Sequence, residues 1–199
     1  MSKFIPIFVS FLVILISRPM ASQSTVHQGQ NPDSIGLLII DIQNFYFEGD
    51  KKLEGCIEAS LVAKKLLTAF RGKGLPVIHV MHGTKSKIHE NVSPAEGEKV
   101  IVKQDINAFK GTDLLEYLHK TGIKKLIICG MMTHMCLEGG TRAATDYGFD
   151  CTVIHDACAT RDLTFGNETV KARDVHVSTL ATLTYYAKVI SADEFLKTF

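Results

Sequence analysis

The sequence predicts an α/β domain: a doubly wound, mostly parallel sheet of five to six strands with helices on both faces. Three observations carry this. The runs "IGLLIID" (35–41), "PVIHVMH" (76–82), "KKLIICG" (124–130) and "DCTVIHD" (150–156) are almost continuously apolar, as strands covered on both faces must be. Segments of helical periodicity alternate with them. The connections are short and punctuated by glycine, which places sequential strands side by side in one sheet.

In chain order, the first strand is followed by a helix over 54–74. Its apolar face carries Ile57, Leu61, Leu66, Leu67 and Phe70, and it stops at Gly72 and Gly74. The strand 76–82 comes next, then a loop rich in Lys, His, Glu and Pro (83–98). A third extended segment, "KVIVK", spans 99–103. A short helix is expected over 112–122, a strand over 124–130, a helix over 134–148 and a strand over 150–156. A final long helix (167–186) and a small strand (187–190) close the chain. In such sheets the ligand crevice lies beyond the carboxyl ends of the strands, so chemistry is expected just after them.

Composition narrows the class. The chain has 199 residues, 46% of them hydrophobic and 22% charged, enough for one domain with a sizeable core. With 22 basic and 21 acidic residues and no basic patch, nucleic acid and anionic membranes are not expected partners. The N-terminus differs in kind. Lys3 precedes "FIPIFVSFLVILI", within the roughly 7–15 residues of a signal-peptide core and short of the roughly 20 that span a membrane. Small residues follow at Ala21 and Ser22. The expected organisation is an export signal over 1–22, a polar linker over 23–33 and the folded domain over 34–199. The expected location is periplasmic or secreted, with cytoplasmic as the alternative. The expected partners are a small-molecule substrate and further copies of the chain, with no stable membrane partner after signal removal.

Five cysteines, at 56, 129, 136, 151 and 158, leave at least one thiol unpaired within the chain. No C-x-x-C or zinc-like spacing is present. Cys129, Cys151 and Cys158 fall on strands or strand ends and read as buried thiols. A Cys129–Cys151 contact is conceivable if their strands are neighbours.

Three residues satisfy the strand-end rule: Asp41, Lys103 and Cys136. Each alone has an ordinary reading: a capping carboxylate, a solvated lysine, a buried small thiol. Together they are the parts for covalent attack on a carbonyl without metal or cofactor. Cys136 is expected in the first turn of a helix with Thr133 as N-cap, where the helix dipole and a nearby ammonium favour the thiolate. An aspartate can move its proton.

The chain resembles the isochorismatase-like cysteine hydrolases, the superfamily of nicotinamidases, carbamoylsarcosine amidases and isochorismatases. The matching motifs are "LLIIDIQNFYF", "VIVKQDINAFKGTDL" and "CGMMTHMCLEGGTRAATDYGFDCTVIHDACAT", in family order from about Ile35 to Ile190. The resemblance implies that Cys136 is the nucleophile, Asp41 the general base and acid, and Lys103 the residue that orients Asp41 and supports the thiolate. It also implies a cis peptide at Met131–Met132, and an oxyanion hole from the amides of Met132 and Cys136. Phe45, Phe109, His134 and His176 flank the motifs or fall on the last helix, as expected pocket walls.

The departures carry information too. Nicotinamidases resemble one another in an Asp-x-His…His metal group, whereas this chain has "HVMHGTKSKIHENVSP", with His79, His82 and His89 and no matching aspartate. His79 reads as a core or loop-facing residue, and no metal or cofactor is expected. True isochorismatases lack the nucleophilic cysteine. The leading expectation is therefore hydrolysis of a small-molecule amide or related C–N bond through a Cys136 thioester. The alternatives are a non-catalytic binding member of the fold and an ether or ester hydrolase of a chorismate-like acid. That last activity needs a cationic pocket, for which Arg142 and Arg161 are available.

Overall fold

The structure, a computed structural model, describes residues 34–199 together with Met1; the expected signal and linker otherwise lie outside the described residues. Six parallel strands form the central sheet in the order β3-β2-β1-β4-β5-β8. They are β1 (Ile35–Ile40), β2 (Val77–His82), β3 (Lys99–Lys103), β4 (Lys125–Met131), β5 (Asp150–Ala159) and β8 (Lys188–Ile190). A separate antiparallel pair, β6 (Leu163–Phe165) and β7 (Glu168–Val170), projects between β5 and the helix that follows. The strand order reverses between β1 and β4, which opens a crevice at their carboxyl ends.

The apolar runs form strands because both faces are covered. Alternate residues of β1 enter different cores: Leu37 and Ile39 pack with α1 (Cys56–Gly72) and α5 (Ala192–Thr198). Leu38 and Ile40 pack against α2 (Leu114–Lys120), α3 (Glu138–Asp146) and α4 (Ala172–Leu183). Each such aliphatic side chain contributes about 1.5–3 kcal/mol on burial. Among the described residues no helix is long and apolar enough to cross a membrane.

Three departures from the sequence expectation stand out. The helix expected over 167–186 begins only at Ala172, because Gly166-Asn167 is a two-residue turn between β6 and β7, with Gly166 at φ 59°. α5 falls beyond the last expected strand and starts with a capping box between Ser191 and Glu194. β5 runs to Ala159 rather than stopping at 156, its pairing with β4 shifting register between Ile128 and Gly130.

All five cysteines are free and buried. Cys151 pairs in register with Leu126, and Cys129 and Cys151 belong to cores on different sides of the sheet, so the conceivable Cys129–Cys151 contact does not form.

Candidate active site

Three strand ends converge. Asp41 follows β1, with its amide donating to the Val80 carbonyl at 2.9 Å and its backbone at φ 51°. That left-handed conformation is uncommon outside glycine, though aspartate tolerates it better than most.

The close approach of β4 depends on Gly130. A Cβ there would lie 1.9 Å from the Ile40 carbonyl oxygen, at a φ of 138° that side chains avoid. Beyond it the Met131–Met132 peptide is cis. The chain then enters a π-helical turn, Thr133–Leu137, in which the Met132 carbonyl accepts from the amides of Met135 (3.0 Å) and Leu137 (3.3 Å). Cys136 lies in this turn, ahead of α3. Thr133 is not the expected cap: Met132 holds that position without a side-chain bond, and the Thr133 hydroxyl pairs with His176 Nδ1 at 3.0 Å.

Lys103 completes the group. β3 alternates against its chemistry, turning Val102 44% exposed to the outside and Lys103, 1% exposed, to the inside. The ammonium is 2.7 Å from Asp41 Oδ2 and 3.2 Å from Cys136 Sγ. It also meets the Asp105 carbonyl at 3.1 Å and His82 Nδ1 at 3.2 Å. Asp41, His82 and Cys136 bring donor atoms within 4.8 Å of one another. The cation these atoms surround is the ammonium of Lys103. Although the ion pair is close, neither carboxylate oxygen of Asp41 receives a hydrogen bond of good geometry.

Burial sets the electrostatics and corrects the expected low-pKa thiol. Burial first, and the Asp41 charge second, push Cys136 up to about 12, with Lys103 opposing. Burial also raises Asp41 above the usual carboxylate range, against the pull of Lys103. The site holds one carboxylate and one ammonium in balance. A thiolate formed there without moving its proton to Asp41 would leave a net buried negative charge.

The expected wall residues divide. His134 Nδ1 meets the Thr160 hydroxyl at 2.6 Å, so His134 and His176 both brace the turn that carries Cys136. Thr160 and His176 also line an adjoining cavity of about 170 Å³, with Glu54, Cys158 and Arg173. Phe45 is half-buried beside Tyr46, with ring centroids 4.1 Å apart. Phe109 is buried against Tyr147 and Phe149, with ring centroids 5.2 and 6.3 Å away. His89 stacks on Phe47 at 3.7 Å, and His79 is fully buried and bonded to Glu98 at 2.9 Å.

Sequence reasoning passed over Gln43. It is fully buried; its Oε1 accepts from the His82 amide (2.8 Å) and its Nε2 donates to the Ser86 carbonyl (2.8 Å). The end of β2 is thereby fixed beside Lys103. A buried amide two residues past a strand-end aspartate, in "DIQN", was the available signal.

A parallel doubly wound sheet with Asp, Lys and Cys meeting at its switch point defines a class, and comparison with known proteins identifies the family. Residues 36–194 match the isochorismatase domain. The chain is 43% identical over 176 residues to YddQ, an uncharacterized isochorismatase family protein of Bacillus subtilis, covering 81% of this chain and 98% of that protein. It is 37% identical over 144 residues to the secreted isochorismatase effector Isc1 of Verticillium dahliae, covering 66% of this chain and 75% of Isc1. Among solved structures, a putative isochorismatase hydrolase from Oleispira antarctica superposes with a TM-score of 0.79 at 44% identity, covering 83% of this chain and 97% of the other. The protein belongs to the isochorismatase family and is a hydrolase.

Proposed function

We propose that the protein hydrolyses a small-molecule amide or related C–N bond by covalent catalysis at Cys136. The observation that supports this most is the placement of the Lys103 ammonium between Asp41 Oδ2 and Cys136 Sγ, at 2.7 and 3.2 Å. More distant relatives point the same way, since their names are those of hydrolases. They are streptothricin hydrolase of Streptomyces noursei and Nicotinamidase 3 of Arabidopsis thaliana, each 27% identical over the matched region.

The raised thiol favours one order of events. Cys136 attacks as its proton passes to Asp41, so sulfur–carbon bond formation and proton transfer go together. The carbonyl oxygen gathers the negative charge, and the amides of Met132 and Cys136 are the proposed donors to it. Collapse breaks the C–N bond, with Asp41 returning the proton to the departing amine. Water then gives a proton to Asp41 and attacks the thioester. Loss of the sulfur completes the acid, and the thiolate recovers its proton from Asp41. Lys103 keeps Asp41 oriented and offsets negative charge on whichever partner bears it.

The test is ammonia or amine release across a panel of amides, nicotinamide included, by wild type and Cys136→Ala. Release by the wild type alone is expected, with the variant folded. Equal release by both would exclude Cys136 as nucleophile.

A further inference from the structure

A lysine ammonium has three protons to donate, and three acceptors stand in bonding geometry around that of Lys103. They are the Asp105 carbonyl at 3.1 Å, His82 Nδ1 at 3.2 Å and Cys136 Sγ at 3.2 Å. Asp41 Oδ2 is nearer, at 2.7 Å, yet neither oxygen of that carboxylate has a hydrogen bond among the described residues. An ammonium with no proton to spare accounts for this: Lys103 acts on Asp41 by charge alone. The position of His82 is set by the backbone. It pairs with Lys103 in register across β2 and β3, and its amide donates to Gln43 Oε1 at 2.8 Å. The Gly83 amide donates to the Lys103 carbonyl at 2.8 Å. The imidazole is exposed, while the ammonium it meets is buried. The titratable groups facing it are Lys103 of β3, Asp41 after β1 and Cys136 in the π-helical turn. The Asp105 carboxylate is taken by Lys110 at 2.9 Å.

We propose that His82 is a positioning residue: by occupying the third proton of Lys103, it leaves Asp41 without a hydrogen bond and so keeps it a better base. A lysine ammonium can only donate, so Nδ1 accepts and the ring proton sits on Nε2. Without Nδ1, the freed N–H would turn to Asp41 Oδ2, the nearest acceptor left. A hydrogen bond to an ionised carboxylate favours that form and weakens it as a base. Asp41 is the proposed acceptor of the Cys136 proton, so its basicity governs how readily the sulfur attacks. The inference rests on that reading of Asp41, but its test needs no substrate and can fail separately.

The measurement is the titration of the Asp41 carboxyl by carbon-13 NMR, in protein labelled at aspartate Cγ, with the signal assigned through Asp41→Asn. His82→Leu and His82→Asn both remove the ring and its own titration. Only Asn restores an acceptor, its Oδ1, at about the place of Nδ1. The exposure of His82 lets both substitutions leave the core intact. The Asp41 midpoint in the Leu variant should fall about one pH unit below that in the Asn variant, the effect of one hydrogen bond to a charged group. An apolar side chain beside Asp41 would by itself move the midpoint upward, so packing alone cannot produce the fall. Equal midpoints in the two variants, or a higher one with Leu, overturn the proposal. Neither result touches Cys136 as nucleophile, which fails on its own ground if Cys136→Ala releases as much amine as wild type.

Discussion

Lys103 and Asp41 hold each other in a place neither could occupy alone. Isolated buried charges cost several kcal/mol, and removing one partner of a buried pair typically costs about 3–5 kcal/mol. Lys103→Met should therefore destabilise the fold by about that much at pH 8, measured by urea unfolding. The loss should shrink in acid. Asp41 is already raised by burial, and without Lys103 it rises further. A folded pKa above the unfolded value means that the folded state binds the extra proton. Stability is then greatest below the unfolded value of 3.8 and falls as pH rises through the folded one. Asp41→Asn combined with Lys103→Met should recover much of the loss. The strand-end rule found all three residues, Asp41, Lys103 and Cys136. It could not find the sign of the thiol shift, because burial and the orientation of Asp41 are tertiary facts.

At the scale of elements, the site depends on how closely β4 passes β1. Gly130 is required there: Gly130→Ala places a methyl group 1.9 Å from the Ile40 carbonyl oxygen at an unfavourable φ. The expected result is a loss above about 3 kcal/mol, read by thermal or urea unfolding, with loss of Cys136 labelling specificity. Gly139 and Gly140 make a useful contrast, because their nearest obstacles, at 2.9 Å, are side-chain methyl groups of Ile106 and Ile40 rather than backbone. The strands were legible because continuous apolar runs have few other ways to be buried. The start of α4 was not, since "FGNETV" satisfies a helix entry and a hairpin almost equally until tertiary context chooses. The π-helical turn at Thr133–Leu137 was also hidden: it carries helical periodicity, and only the hydrogen bonds to the Met132 carbonyl distinguish it.

Over the whole molecule, the switch point between β1 and β4 gathers Asp41, Lys103 and Cys136, and a clamp elsewhere ties the layers together. Glu98 accepts from Arg71 of α1 at 2.7 and 2.8 Å and from the Ala95 amide at 2.8 Å, and it meets His79 of β2 at 2.9 Å. The Arg71 hydrogen bond chiefly holds the Glu98 carboxyl down at about 2. Its contribution is present above the unfolded value of 4.5 and is lost as pH falls from there toward 2. The stability difference between wild type and Glu98→Gln should therefore shrink across that window, as urea titrations at successive pH values will show.

The central claim is that Asp41 takes the Cys136 proton, so the same carboxylate suppresses the resting thiolate and drives turnover. The direct measurement is the rate of Cys136 alkylation by iodoacetamide against pH, in wild type and Asp41→Asn, with amide turnover assayed alongside. The wild-type rate should still be climbing above pH 9, since the thiol is pushed up to about 12 by burial and Asp41. Asp41→Asn removes the opposing charge and leaves Lys103 to the sulfur, so alkylation should accelerate near pH 8 while turnover disappears. Slower alkylation in Asp41→Asn, or turnover at the wild-type rate, would contradict the account.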